Sequence, residues 1–307
     1  MADIKDFQER PEQPSTPRTP GSTAAKAKNL SAQPSEVALR RMKVLVERSK
    51  RRSAVALSEA FVRRRDEAAP PPPLAEMVRG GRGGEVRLKL YLTMAMLAVS
   101  PPYDIQGAIP ARSWAETLDL ADPDHLGARR VSDAIRWLAS HRFIVSERAR
   151  GAPGPVRLLS QSGTGDPYVR PSGGDDRYVR LPLGLWRNGW IVVLSGAALA
   201  ILIILLDLQG GRPTAQWVSP RQAHIRYDLS PETWTKGVRE LAERGLVTVK
   251  KIPQGDIFDY RRMRNTYWVL EDRLEAPVTP APPATNNGVD DQGSSRSAIN
   301  RIRGDRT

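Results

Sequence analysis

The stretch that constrains this chain most is WIVVLSGAALAILIILL, residues 190–206, which carries no charge and is closed by Asp207. Such a run has to leave water. A spanning helix needs about 20 apolar residues, with about 17 at the lower edge. This run has 17, Ser195 and Gly196 interrupt it, and Asp207 stands where a basic anchor would be. A turn at Arg187 to Gly189 precedes it, Ser195 is a helix N-cap signal, and Gly210 and Gly211 form a stop. These signals divide the run into a short strand and a helix of roughly 13 residues. It is read as a fully buried first helix of a globular domain, with no membrane partner.

Two Ser-Pro pairs follow. Ser219-Pro220 opens a helix to about Tyr227, and Ser230-Pro231 opens another, a cap with proline at the first helical position. In SPETWTKGVRELAERG the inner face is Trp234, Val238, Leu241 and Ala242, while Thr233, Thr235, Lys236, Arg239 and Glu243 point outward. LVTVKKI and RNTYWVL then form a hairpin whose loop carries Arg261 and Arg262, with Arg264 beside it.

The same order occurs earlier. Residues 86–99 are apolar, Pro101 and Pro102 stop them, and 110–120 form a short helix holding Trp114, Leu118 and Leu120. Within 125–142, Val131, Ala134, Ile135 and Leu138 fall on one helical face, leaving Arg129, Arg130, Asp133 and Arg136 outside. A hairpin follows, Ile144 and Val145 against Val156 to Leu159, with Arg148 and Arg150 at its tip. An offset of 103 residues superposes the two third helices without a gap: Ile135 falls on Val238, Arg136 on Arg239 and Leu138 on Leu241. Repeated units take one common reading.

The flanks differ. Residues 1–35 and 275–307 are rich in Pro, Ser, Thr, Asn and Gly and are read as disordered. Residues 36–68 contain no Pro or Gly and read as one basic helix, capped by Ser35 and ended by Pro70–Pro73. Within 37–66 the ten Arg and Lys against three Asp and Glu leave a net +7. This helix either lies along a polyanion or serves as a solvated linker. Residues 69–84 form a Pro/Gly linker in which Arg79 and Arg82 are exposed by flanking glycines, and 161–177 form a polar linker between a first domain (85–160) and a second (178–274). The expected class is α+β: mainly α with small β-hairpin wings.

The net charge of the whole chain is +13 and its pI about 10.4, which favours a polyanionic partner. Only nine of the 47 basic residues are lysine; arginine binds phosphate and guanine in bidentate fashion, although a GC-rich genome also favours it. With no cysteine, disulfides, thiolate catalysis and Cys-based metal centres are excluded. His125, His141 and His224 lack metal-ligand spacing. P-loop, dinucleotide, HExxH and GxSxG motifs are absent, and GGRGG lacks the Lys-Ser/Thr of a phosphate loop. Asp122, Asp124, Asp175 and Asp176 read as turn formers. No enzyme activity, cofactor or small-molecule ligand is expected. The beginning MADIKDF has no apolar core of a signal peptide, so a cytoplasmic, nucleoid-associated protein is expected.

The helix, helix, helix, hairpin order resembles winged helix-turn-helix DNA-binding domains, and its tandem use is similar to actinobacterial regulators and plasmid replication initiators. The resemblance covers about 190 residues and rests on pattern rather than an invariant motif. It implies double-stranded DNA as partner. Thr233, Thr235, Lys236 and Arg239 would face base edges in the second unit, and Arg129, Arg130 and Arg136 in the first. Lys250, Lys251, Arg148 and Arg150, with Arg261 and Arg262, would touch phosphates from the wings. Three roles stay open: a sequence-specific transcription regulator, a plasmid or mobile-element replication initiator or partition protein, and a protein-binding tandem winged-helix adaptor. The chain could also act as a dimer or recruit replication or transcription machinery.

Overall fold

A helix that is apolar all round is stable in water only when it is covered on every side. In the computed structural model, which describes residues 32–278 apart from 53, 81, 106, 147–153, 174–176, 213 and 255–261, that constraint organises the chain. The elements in order are α1 (Glu36–Ser49), β1 (Ala54–Ser58), α2 (Glu59–Val62), α3 (Pro73–Val78), α4 (Arg82–Leu97), β2 (Asp104–Ile105), α5 (Ala111–Thr117), α6 (Ala128–Ser140), β3 (Ile144–Ser146) and β4 (Val156–Leu158). They continue with β5 (Tyr178–Pro182), α7 (Gly184–Arg187), α8 (Trp190–Val193), α9 (Gly196–Gln209), α10 (Pro220–Tyr227), α11 (Pro231–Glu243), β6 (Val247–Gln254), β7 (Arg262–Val269) and α12 (Glu271–Leu274).

The apolar run becomes α8 and α9. No helix among the described residues is long and apolar enough to cross a membrane. The hydroxyl of Ser195 caps α9 by accepting from the Ala198 amide, and Gly210 ends it in the left-handed region at φ 53°. The short strand expected before it is instead the single helical turn α8, set up by Gly189 at φ 81°. Its side chains are buried all the same.

What covers α9 comes from the whole chain. From its own unit it meets α11, β7 and β5, from the first unit α4, and from the segment before both units α2 and α3. Burying each of its leucines and isoleucines contributes about 1.5–3 kcal/mol, and neither unit alone supplies enough surface to cover them. One continuous apolar cluster therefore runs from Met42 to Leu274.

The segment before the first unit corrects the sequence reading. A single basic helix over 36–68 is not formed. Ser35 does cap the start, its hydroxyl accepting from Ala38, but Lys50 turns left-handed at φ 53° and stops the helix after Ser49. The chain then enters β1, which pairs antiparallel with β5 across 120 residues of sequence, Ala54 opposite Pro182 and Ser58 opposite Tyr178. Thus 178–182, the start of the second unit, forms a ribbon with the N-terminal segment. The prolines do not terminate a helix either: Pro72 and Pro73 open α3. The glycines do not all lie in a linker either: Gly83 and Gly84 fall in the first turn of α4, and a Cβ on Gly84 would lie 2.5 Å from the Val78 carbonyl oxygen. The expected polar linker over 161–177 is tied down too. Gln161 is buried and accepts from the Ser58 amide, and Tyr168 packs edge-on against Tyr103.

Much of the basic charge in this segment is used internally. Arg51 donates to the carbonyls of Ala95, Met96 and Ala98, capping the C-terminal end of α4. Burial lowers its pKa from the ordinary arginine value. Arg63 pairs with Glu59 and lies 3.7 Å from Asp207, whose carboxyl burial pushes above the usual range. Arg64 donates to the Ile225 carbonyl and lies 3.8 Å from Asp228. The side chains of Arg40, Lys43, Arg48, Lys50, Arg52 and Arg65 stay exposed.

Helix α11 approaches α9 at Gly237, where an added Cβ would lie 2.5 Å from Ile201 Cγ1 and 2.7 Å from the Ala197 carbonyl oxygen. Gly237→Ala is expected to destabilise the fold by about 1–3 kcal/mol in urea unfolding through overpacking. Helix propensity alone predicts a gain of about 1 kcal/mol, so a stabilised variant would contradict this packing.

Candidate nucleic-acid interface

Helices α6 and α11 present a buried and an exposed side because their apolar residues recur at helical spacing. The 103-residue offset maps Ala128–Ser140 onto Pro231–Glu243 end for end. Ala134 and Gly237 are buried at equivalent positions, as are Leu138 and Leu241; Ile135 and Val238 are half-buried. Arg136 and Arg239 are both exposed. Ala242, expected on the inner face, is exposed; the inner face runs through Gly237 and Leu241, and the buried residue at the exit is Arg244.

The remaining candidates on these helices sit as follows. Arg129, Thr235 and Lys236 are exposed, and Arg130 and Thr233 are half-buried. Arg136 donates to Asp133 at 2.7 Å, and Lys236 to Glu232 at 2.6 Å. Both are exposed pairs, which stabilise little and are readily exchanged for another anion. Thr235 gives its hydroxyl to the Pro231 carbonyl. Arg129, Arg130 and Arg239 have no hydrogen-bond or ion-pair partner among the described residues.

Each third helix hangs from the first turns of its unit's long helix. In the first unit Trp137 does this: the Arg87 guanidinium lies 4.3 Å over its ring, and His141 stacks on it at 3.8 Å. At the equivalent position of the second unit, Glu240 accepts from the Ser195 amide at 3.0 Å and from its hydroxyl at 2.5 Å. The two long helices join at the same place. Glu85 accepts from the Gly196 amide at 3.1 Å, and Lys89, buried, donates to Glu85 and to the Val192 carbonyl, both at 2.7 Å. Arg239 sits one residue from Glu240 of this junction, and Arg136 one residue from Trp137, which packs on Arg87 in the same turns of α4.

No protein-family model matches the chain, and no curated protein matches it. The geometry of the site therefore rests on the chain itself.

The small antiparallel sheets that follow these helices repeat as well. In the first unit β2, β4 and β3 form a sheet in that order. In the second, β6 pairs with β7 from Val247 opposite Val269 to Gln254 opposite Arg262. Gln216 exchanges two backbone hydrogen bonds with Tyr267 and takes the place that β2 holds in the first unit. Lys250 and Lys251 are exposed, opposite Thr266 and Asn265, and strand alternation puts them on opposite faces. Arg262 begins β7. Arg148, Arg150 and Arg261 lie outside the described residues.

Sequence reasoning missed the junction. Its one legible signal is the i, i+4 spacing of Glu85 and Lys89; Glu240 was assigned to neither face of its helix. Glu240→Ala leaves the Ser195 amide without its carboxylate and is expected to cost about 1–3 kcal/mol in urea unfolding. Glu240→Gln, which keeps an acceptor and loses the charge at the helix start, is expected to cost about 0.3–1 kcal/mol. Equal stability of all three proteins would contradict the anchoring role.

Proposed function

We propose that the chain is a sequence-specific binder of double-stranded DNA that uses two winged helix-turn-helix units, serves transcription regulation, and is not an enzyme. The observation that carries this reading is the end-for-end correspondence of α6 and α11, with Arg136 and Arg239 exposed at the same helical position. A helix about 10–12 Å across fits the major groove. Arginine reads guanine O6 and N7 there in bidentate fashion. The matching strand order beside each third helix supports a wing in each unit, and the charge of +13 supports a polyanionic partner.

In this reading Thr233, Thr235, Lys236 and Arg239 face base edges from α11, and Arg129, Arg130 and Arg136 do so from α6. Lys250, Lys251 and Arg262 serve the phosphates from the second wing, joined by Arg148, Arg150 and Arg261. Their positive charge displaces counterions, so affinity falls steeply with salt.

Selection of randomly sheared genomic fragments on the purified chain, followed by sequencing, tests the proposal. Scattered sites upstream of operons fit regulation, and one iterated array fits replication initiation. No enrichment even at low salt overturns the DNA reading and favours a protein-binding role. On a selected site Arg239→Ala is expected to weaken binding by about 1–3 kcal/mol and to relax preference at one base pair. Replacing Lys250 and Lys251 together by Gln is expected to weaken all sequences alike and to flatten the slope of log K against log salt by about 2. An unchanged slope contradicts their phosphate role.

A further inference from the structure

The second wing has two faces. Tyr267 faces α11, where its hydroxyl accepts from Trp234 Nε1 at 3.4 Å, and Val247, Val249 and Val269 share that side. Lys250, Ile252, Arg264 and Thr266 fall on the other side by alternation. Gln216 is pinned to Tyr267 by hydrogen bonds of 2.9 and 2.7 Å, so its neighbour Trp217 also turns to this outer face. The Arg264 guanidinium lies 4.5 Å over the Trp217 ring, which confirms the shared side. Arg264 Nε is buried there and has no hydrogen-bond partner among the described residues.

Trp217 is 42 % exposed. It keeps that exposure even with the Arg264 guanidinium over its ring, so part of the ring is open to a partner. The charge around it narrows the choice. The strands β6 and β7 carry Lys250, Lys251, Arg262 and Arg264 and no acidic residue, so the complementary partner is a polyanion. Lys250 stands two strand spacings from Trp217, about 10 Å, so ring and cations form a continuous platform. Duplex DNA offers this ring nothing, because each base face is covered by its neighbour in the stack. Unpaired bases have free faces, and stacking on aromatic side chains flanked by cations is how single strands are held without sequence preference.

We propose that the outer face of the β6–β7 sheet binds single-stranded nucleic acid, with an unpaired base stacked on Trp217 and the adjoining phosphates held by Arg264 and Lys250. This surface is separate from the exposed face of α11 and shares only Lys250 with the residues assigned to duplex phosphates, so the test rests on Trp217 and Arg264.

The test measures fluorescence anisotropy of labelled oligo(dT), and in parallel of a labelled duplex, with the full chain at low salt. Trp217→Ala is expected to weaken oligo(dT) binding by about five- to a hundredfold. Trp217→Phe, which keeps a stacking ring, is expected to retain most of it, and duplex binding by both variants should stay within about twofold of the unsubstituted chain. If circular dichroism shows that Trp217→Ala does not fold, Arg264→Gln is read in its place and should weaken oligo(dT) binding severalfold. The proposal is overturned if the chain does not bind oligo(dT), if the variant read binds it unchanged, or if it loses oligo(dT) and duplex equally. A chain that binds oligo(dT) through Trp217 and ignores duplex supports this proposal and removes the duplex one.

Discussion

The first turn of α9 points its unpaired N–H groups into the junction of the two units. Two carboxylates from opposite ends of the structure meet them: Glu85 on the Gly196 amide, Glu240 on the Ser195 amide and hydroxyl. A helix N-terminus carries roughly half a positive charge, and buried amides without acceptors cost more than the bonds contribute. Lys89 balances Glu85 and also reaches the Val192 carbonyl. Remove this polar cluster and α9 can still be greasy, but its start, the seat of α11 and the join to α4 lose their common reference.

The rest follows from that join. Because α9 is apolar on all sides, it recruits α4 from the first unit and the ribbon that β5 forms with the N-terminal β1, and the two repeats share one core. Trp137 and Glu240 then hang the third helices beside the same junction, from corresponding positions. The basic N-terminal segment, which carries more than half of the net charge, is largely structural in its second half: Arg51, Arg63 and Arg64 serve helix ends and buried acids. Arg40, Lys43, Arg48, Lys50, Arg52 and Arg65 of that segment stay exposed, and on the third helices Arg129, Arg130 and Arg239 have no partner among the described residues.

What the sequence revealed was local. Ser195, Ser219 and Ser230 announce helix starts by the same cap chemistry that the structure shows, each hydroxyl accepting from an amide three residues on. The buried faces of α6 and α11 follow from 3.6-residue spacing. The ribbon of β1 with β5 was illegible, because a pairing across 120 residues leaves no signature in either strand. The basic segment misled for a related reason: continuous helix formers outweighed Ser49 and Lys50, yet tertiary pairing of 54–58 decided the matter. Of the candidate site, the helix-borne residues were placed from periodicity. Trp217 was not singled out, since only its pairing through Gln216 turns it to the outer face.

The central claim is that one body presents α6 and α11 to the major groove of duplex DNA. Dimethyl sulfate protection of guanine N7 on a selected duplex addresses it most directly, because N7 lies in that groove. The account predicts two protected patches at a fixed separation, one relieved by Arg136→Ala and the other by Arg239→Ala. Bound DNA with no N7 protection, or with protection indifferent to both substitutions, would contradict it.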